Sequence, residues 1–292
     1  MQNQSDNVQR FSRFYIDFHE RLFNTHVKCM HLLSAAVPFQ KFNKIDVSAK
    51  LLQHQPILKD NLFQDIDDGA FEQLFDLVFP VLREFAYWKK EELLRLQELN
   101  DRRRFSLKKF MIALIANDDK KFASFSKSYD ITVKFLKIFT ELVSAPFFEL
   151  SAETFSERIE HTRWNEPTCP VCGSTPAFSE IDEQQEVRTL WCRRCNSTWQ
   201  FSADKCPFCL THDPKQKKLL FLSDGKPYRI EACDNCGHYL KTVNHSFLTN
   251  KIDFSVANIA TYSLDILAKH LGYQLNDYLS FYFELSNHGE FS

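Results

Sequence analysis

The stretch CPVCGSTPAFSEIDEQQEVRTLWCRRCNSTWQF, residues 169–201, decides the reading of this chain, because CPFC at 206–209 and EACDNCGHYLKTV at 231–243 answer it. Together these segments carry four cysteine pairs of identical internal spacing: Cys169–Cys172, Cys192–Cys195, Cys206–Cys209 and Cys233–Cys236. The gaps between the pairs are 19, 10 and 23 residues. Either long gap accommodates a β-hairpin, and the short one only a strand and a connector. The first pair therefore groups with the second, and the third with the fourth.

Each half repeats the same order of elements. In the first, a strand over Ala177 to Ile181 leads through the polar turn Asp182 to Glu186 into a strand over Val187 to Trp191. In the second, Leu219 to Leu222 leads through Asp224-Gly225, a hairpin signal, into Tyr228 to Ala232. A third short strand carrying an aromatic closes each half, at Thr198 to Phe201 and at Tyr239 to Val243. The pattern predicts two tandem ribbons, each a three-stranded antiparallel sheet pinned by one metal.

The chemistry follows from the spacing. Two residues between cysteines let a tight turn aim both sulfurs at one ion. The residue after the second cysteine favours a left-handed backbone, which Gly173, Gly237 and Asn196 tolerate. Leu210 breaks that series and predicts a third knuckle that turns differently. A ribbon of about 40 residues buries too little to fold alone, whereas a structural tetrathiolate site contributes on the order of 10 kcal/mol. The candidate metal ligands are therefore Cys169, Cys172, Cys192 and Cys195 at one site and Cys206, Cys209, Cys233 and Cys236 at the other. Four thiolates in a tetrahedron suit zinc and a rubredoxin-type single iron equally. The symmetric pair-plus-pair pattern argues against an iron–sulfur cluster, and its repetition against a thioredoxin-type dithiol. His161, His212, His238 and His245 lie near the ribbons, but eight cysteines already suffice for two ions.

Outward from this region the composition changes. The chain has 292 residues, nine cysteines, six glycines, 29 phenylalanines and a net charge of −2. The length suits about two domains. The scarcity of glycine argues against phosphate-binding loops, and the charge against a general nucleic-acid or membrane-surface binder. Residues 1–166 hold 20 of the phenylalanines and a single cysteine, Cys29, which reads as a small core hydrophobe. Apolar residues recur there at three- to four-residue spacing: Phe11, Phe14, Phe18 and Leu22, then Phe71, Leu74, Phe75, Val78, Leu82 and Phe85, then Ile131, Phe135, Ile138, Phe139 and Leu142. This is the mark of amphipathic helices in a bundle, of about 10–25 residues each, with a shorter one over Phe105 to Ala116. Asp67 or Asp68 should cap the second helix, Pro80 should kink or divide it, and Pro146 should end the third. Past the ribbons, Val256, Ala260, Leu264, Leu267 and Leu271 form a stripe ending at Gly272, and Tyr278 to Leu285 is a further apolar segment. The expected organisation is a helical domain over 1–166, ribbons over 167–204 and 205–249, and a C-terminal helical segment over 250–292. The first residues lack the apolar run of a signal peptide and no segment is apolar for long enough to span a membrane, so a cytoplasmic, reducing setting is expected.

The segments 169–181, 191–201, 206–209 and 231–243, followed by the helix over Ala257 to Tyr273, closely resemble the FdhE family of formate dehydrogenase accessory proteins. The resemblance is strong over about 167–275 and rests on helical character alone over 1–150. It implies a helical N-terminal domain, two rubredoxin-like modules and iron as the bound metal. It also implies a cytoplasmic maturation factor, not itself an enzyme, that binds the catalytic subunit of a molybdenum- or tungsten-dependent formate dehydrogenase. Two other classes compete with this reading. A zinc-ribbon nucleic-acid binder would use Arg188, Arg193, Arg194, Lys205, Lys215, Lys217 and Lys218, with Trp191 and Trp199 for stacking. Over 167–250, however, ten Lys and Arg face nine Asp and Glu, so the electrostatic footprint is weak. A rubredoxin-type one-electron carrier would need iron that changes oxidation state. No catalytic constellation emerges: Asp118-Asp119 reads as a helix cap or solvated turn.

Overall fold

The computed structural model describes residues 2–59, 63, 66–86, 89–160, 164–222, 227–248 and 250–274, without the side chains of 2–12 and 160. Among these, two compact units separate. One holds the residues up to 41 and those at 61–150, and the other holds 42–60 and 151–274.

The first unit is helical. Up to residue 160 the helices are α1 (Gln2–Ala36), α2 (Val47–Leu52), α3 (Asp68–Phe85), α4 (Lys90–Asp101), α5 (Leu107–Ile115), α6 (Asp119–Tyr129) and α7 (Val133–Glu160). The short α2 and the end of α7 belong to the second unit, and the rest make up the first. The phenylalanine stripes form its core. Phe18, Phe71, Leu74, Phe75, Val78, Ile131, Phe135 and Phe139 are all buried, and the rings of Phe75 and Phe139 meet at 5.6 Å. Phe11 belongs to the first stripe, but its side chain lies outside the described residues. Cys29 is fully buried in α1, and burial pushes its thiol up to about 11. Asp67 caps α3 by accepting from the Gly69 amide at 2.8 Å, and Asp118 caps α6 through the Lys121 amide at 3.1 Å.

Both prolines expected to interrupt helices sit inside continuous ones. Pro80 leaves the carbonyl of Asp76 without its helical donor, but both residues are on the exposed face of α3, so that carbonyl is not buried without a partner as it would be in the core. Pro146 is buried in α7, where the carbonyl of Leu142 has no helical donor and no access to water. There the Nε2–H of His26, on α1, donates to the Leu142 oxygen at 2.9 Å. Burial lowers the imidazole pKa to about 4, against the smaller upward pull of this carbonyl, so His26 is neutral and keeps the tautomer that donates. A side chain from another helix thus carries α7 past its proline.

The second unit is built on a six-stranded sheet. Its strands are β1 (Phe178–Asp182), β2 (Val187–Trp191), β3 (Thr198–Ser202), β4 (Lys217–Leu220), β5 (Tyr228–Cys233) and β6 (Tyr239–Asn244). The order is β3-β2-β1-β6-β5-β4. The two expected antiparallel ribbons are present, and β1 and β6 join them in parallel, Phe178 opposite Lys241 and Ser179 opposite Thr242. At this seam the fully buried hydroxyls of Ser179 and Thr242 hydrogen bond at 2.8 Å. The predicted Asp224-Gly225 turn lies outside the described residues.

Helices α8 (Phe254–Ala260) and α9 (Tyr262–His270) pack on this sheet, α8 on β1 and α9 on β5 and β6. They replace the single helix expected there, and of its stripe Leu264 and Leu267 pack on the sheet while the two ends do not. Ala257, Thr261, Leu264, Asp265 and Ala268 are buried, whereas Val256 and Leu271 are 60% and 53% exposed. The reason is a buried polar anchor. Lys241 of β6 meets Asp265 of α9 at 2.7 Å, and its Nζ also donates to the Asn258 carbonyl at 2.6 Å. Tyr239 donates to the other Asp265 oxygen at 2.6 Å. Gly272 closes α9 with a left-handed backbone, φ 87°. The expected segment Tyr278 to Leu285 lies outside the described residues.

Candidate metal centres

Four turns of one design build the site. In each, the amide of the residue after the second cysteine donates to the carbonyl of the first: Gly173 to Cys169, Asn196 to Cys192, Leu210 to Cys206 and Gly237 to Cys233, at 2.8–2.9 Å. The amide of each first cysteine in turn donates to the carbonyl of the residue two beyond the second cysteine: Ser174, Ser197, Thr211 and His238. Closing this ring requires a left-handed residue after the second cysteine. Gly173, Asn196, Leu210 and Gly237 have φ of 73°, 59°, 63° and 71°. The third knuckle therefore turns as the others do, contrary to the expectation drawn from Leu210. The hydrogen-bond ring outweighs a strain of about 1–2 kcal/mol for a side chain in this conformation.

The knuckles meet in the order the gaps implied. The sulfurs of Cys169, Cys172, Cys192 and Cys195 lie within 4.8 Å of one another, and so do those of Cys206, Cys209, Cys233 and Cys236. Across the first group, Cys169–Cys195 and Cys172–Cys192 are 3.4 and 3.5 Å apart. Across the second, Cys206–Cys236 and Cys209–Cys233 are 3.9 and 3.7 Å apart. A tetrahedron with metal–sulfur bonds of about 2.3 Å has edges of about 3.8 Å, so either group could hold a metal ion. None of the nine cysteines forms a disulfide. No histidine completes either group. His245 pairs with Glu180, His212 is exposed, and the ring of His238 stacks on Phe208 at 5.0 Å. His161 lies outside the described residues.

The electrostatics explain why a cation suits these groups. Burial holds the thiols of Cys169 and Cys195 well above the usual range. At Cys172 burial also works upward, but hydrogen bonds from the neighbouring thiols outweigh it and bring it well below. In the second group burial raises Cys206 to about 11 and also raises Cys236. At Cys209 burial again works upward, but the Asn235 amide and other donors bring the thiol down to about 7. Crowded thiols cannot all ionise together, and a metal cation removes that conflict.

The two groups differ in exposure. All four cysteines of the first are buried, whereas Cys209 and Cys236 of the second are half-buried. The first is covered by a segment that carries no sequence signal. The amides of Ile57 and Leu58 donate to the carbonyls of Pro170 and Val171 at 2.8 and 2.9 Å. Pro56 lies so close to Gly173 that an added Cβ would stand 3.1 Å from its Cγ. The second group instead meets Asn235, whose amide donates to Cys209 Sγ at 3.3 Å.

The residues that would serve a nucleic-acid surface are largely committed elsewhere. Trp191 is 3% and Trp199 5% exposed. Their indole N–H groups donate to Asn196 Oδ1 and to the Glu166 carbonyl. Arg188 is buried and paired with Glu231, which also pairs with Arg229 at 2.9 Å. Lys218 pairs with Asp234 at 2.6 Å. The sheet seam placed Arg188 of one ribbon against Glu231 of the other, a pairing that neither ribbon shows alone.

Comparison with known proteins agrees with this architecture. The family model described as "FdhE, central domain" matches residues 168–202. The chain is 30% identical over 128 residues to the Protein FdhE homolog of Aquifex aeolicus, a match covering 41% of this chain and 44% of that protein. It is 33% identical over 110 residues to Protein FdhE of Escherichia coli O9:H4, covering 36% of this chain and 34% of that one. The aligned stretches thus span less than half the length of either relative. The crystal structure of the FdhE protein from Pseudomonas aeruginosa superposes with a TM-score of 0.55 at 19% identity, over 92% of this chain and 95% of that one, and shares the fold. The segment that matches the FdhE central domain holds the first two cysteine knuckles and the strands between and after them, so over this region the chain is similar to FdhE proteins.

Proposed function

We propose that this chain is an accessory protein for the formation of active formate dehydrogenase. It binds the immature catalytic subunit of a molybdenum- or tungsten-dependent enzyme in the cytoplasm, and does not itself turn over a substrate. Each four-cysteine group holds one metal ion through the ligand sets given above, iron of the rubredoxin type with zinc as the alternative. The observation that carries the reading is the pair of four-cysteine groups, the first of them within the very segment that matches the FdhE central domain. The buried tryptophans and paired cations of the ribbons weigh against nucleic acid as the partner. Among the described residues no helix is long and apolar enough to cross a membrane.

Two measurements test this. Affinity capture from cells expressing the chain should recover the formate dehydrogenase catalytic subunit, and deletion should abolish formate oxidation while leaving the subunit's transcript in place. Normal activity in the deletion strain, with no association, sinks the proposal. Anaerobic purification followed by a visible spectrum decides the metal. Ferric–thiolate absorption supports iron, and a colourless protein with two equivalents of zinc rejects it.

A further inference from the structure

The helical unit contains a cationic groove separate from the cysteine groups. Between the end of α4, the start of α5 and one face of α6 lies a cavity of about 380 Å³ lined by Arg103, Arg104, Lys109 and Lys121, with no carboxylate on its wall. Three cations nearby are paired with carboxylates. Arg102 pairs with Glu98 at 2.6 Å, Lys108 with Asp68 at 3.1 Å and Lys137 with Asp119 at 2.7 Å. Arg103, Arg104, Lys109 and Lys121 have no carboxylate within ion-pair distance among the described residues. Four cations without a carboxylate partner, three exposed and Lys121 half-buried, thus concentrate positive charge around one open concavity in a chain of net charge −2, which attracts an anion.

The backbone brings them together. Arg103 takes the left-handed position that closes α4, φ 55°, and the amide of Arg104 returns to the Leu99 carbonyl at 2.8 Å. The chain then enters α5 at Ser106, so the positive end of that helix opens on the same groove. The rest of the wall is aromatic. Phe105 and Phe110 are buried and stack at 5.2 Å. Phe125 and Tyr129 are half-buried, 4.6 Å apart, and present ring surface to the cavity. Cations that favour phosphoryl oxygens thus adjoin rings that favour a planar heterocycle, in a volume within the range of small-ligand sites.

We propose that this groove binds a nucleoside diphosphate or a ligand of the same chemistry, with its phosphates on Arg103, Arg104, Lys109 and Lys121 and its base against Phe125 and Tyr129. The groove lies in the first unit and the cysteine groups in the second.

The test is isothermal titration of the full-length, metal-loaded chain with ADP, pyrophosphate and adenosine. Saturable ADP binding is expected, weaker binding of pyrophosphate and none of adenosine. Lys109→Ala with Lys121→Ala should weaken ADP by about 30-fold, and unchanged far-UV circular dichroism would show that the bundle is intact. Tyr129→Leu should weaken ADP and leave pyrophosphate unaffected. Absence of saturable ADP binding at millimolar concentration, or binding indifferent to the lysine pair, overturns the site. Pyrophosphate binding as tightly as ADP overturns the assignment of the rings to a base.

Discussion

His26 and Pro146 form a coupled pair whose energetics can be worked from the structure. The His26 imidazole supplies the one donor that the Leu142 carbonyl loses to Pro146. Leu142 is 6% exposed, so removing that donor strands an acceptor away from water. A stranded buried acceptor costs about 1–3 kcal/mol. His26→Leu should therefore destabilise the helical unit by about 2 kcal/mol at neutral pH. In a Pro146→Ala background the backbone amide restored at that position donates to Leu142 as in any α-helix. There the same His26→Leu change should cost less than about 1 kcal/mol, a coupling energy above about 1 kcal/mol. Protonation gives a second handle. The imidazole titrates near 6.5 when unfolded and at about 4 when folded, because burial disfavours its charge. Between those values the unfolded chain binds more protons, so stability is full above pH 6.5 and declines as pH falls toward 4. The decline is about 3 kcal/mol, from about 1.4 kcal/mol per pKa unit. Urea unfolding of the full chain, followed by helical circular dichroism from about pH 7 to about pH 4, measures both effects. Equal losses from His26→Leu in both backgrounds would refute the assignment of the carbonyl to His26. So would an unchanged acid slope in the single variant.

Three further outcomes are expected. Leu210→Gly should stabilise the loaded protein by about 1 kcal/mol in thermal unfolding, since it relieves a left-handed Leu whose side chain is 49% exposed; destabilisation would show that this side chain has a packing role. Lys241→Met should cost about 3–5 kcal/mol by leaving Asp265 buried and unpaired, and Lys241→Met with Asp265→Leu should recover most of that, as read by chemical denaturation. A zinc-loaded sample challenged with excess chelator should release metal in two phases, the second group, where Cys209 and Cys236 are half-buried, before the fully buried first group; a Cys209→Ser variant that loses the slow phase instead of the fast would reverse that order.

Much of the second unit was legible in the sequence because its signals are local. The CxxC spacing, the strand patterns and the positions of Gly173 and Gly237 each depend on neighbours a few residues away. The strands appear within a residue or two of expectation, and the knuckles meet as their gaps implied. Leu210 was misread because residue preference was weighed without the hydrogen bond from its amide to Cys206, which outweighs the preference. The C-terminal stripe was misread for a related reason. Hydrophobicity alone selected Val256 and Leu271, which are exposed, whereas Leu264 and Leu267 of the same stripe pack on the sheet beside the buried ion pair of Lys241 and Asp265.

The sequence by itself determined the helical character of the first part, the two ribbons and the grouping of eight cysteines into two sets, since periodicity and spacing are short-range properties of the chain. Only the tertiary structure decided what depends on partners far apart in sequence. The two ribbons share one sheet because β1 and β6 find each other in parallel. Residues 56–58 cover the first cysteine group through backbone hydrogen bonds from the Ile57 and Leu58 amides, which leave no side-chain signature. Helix α7 survives Pro146 because a histidine 120 positions earlier faces the carbonyl the proline abandons. Each of these depends on a backbone polar group that must be satisfied once buried, and the partner that satisfies it is known only when the chain has folded.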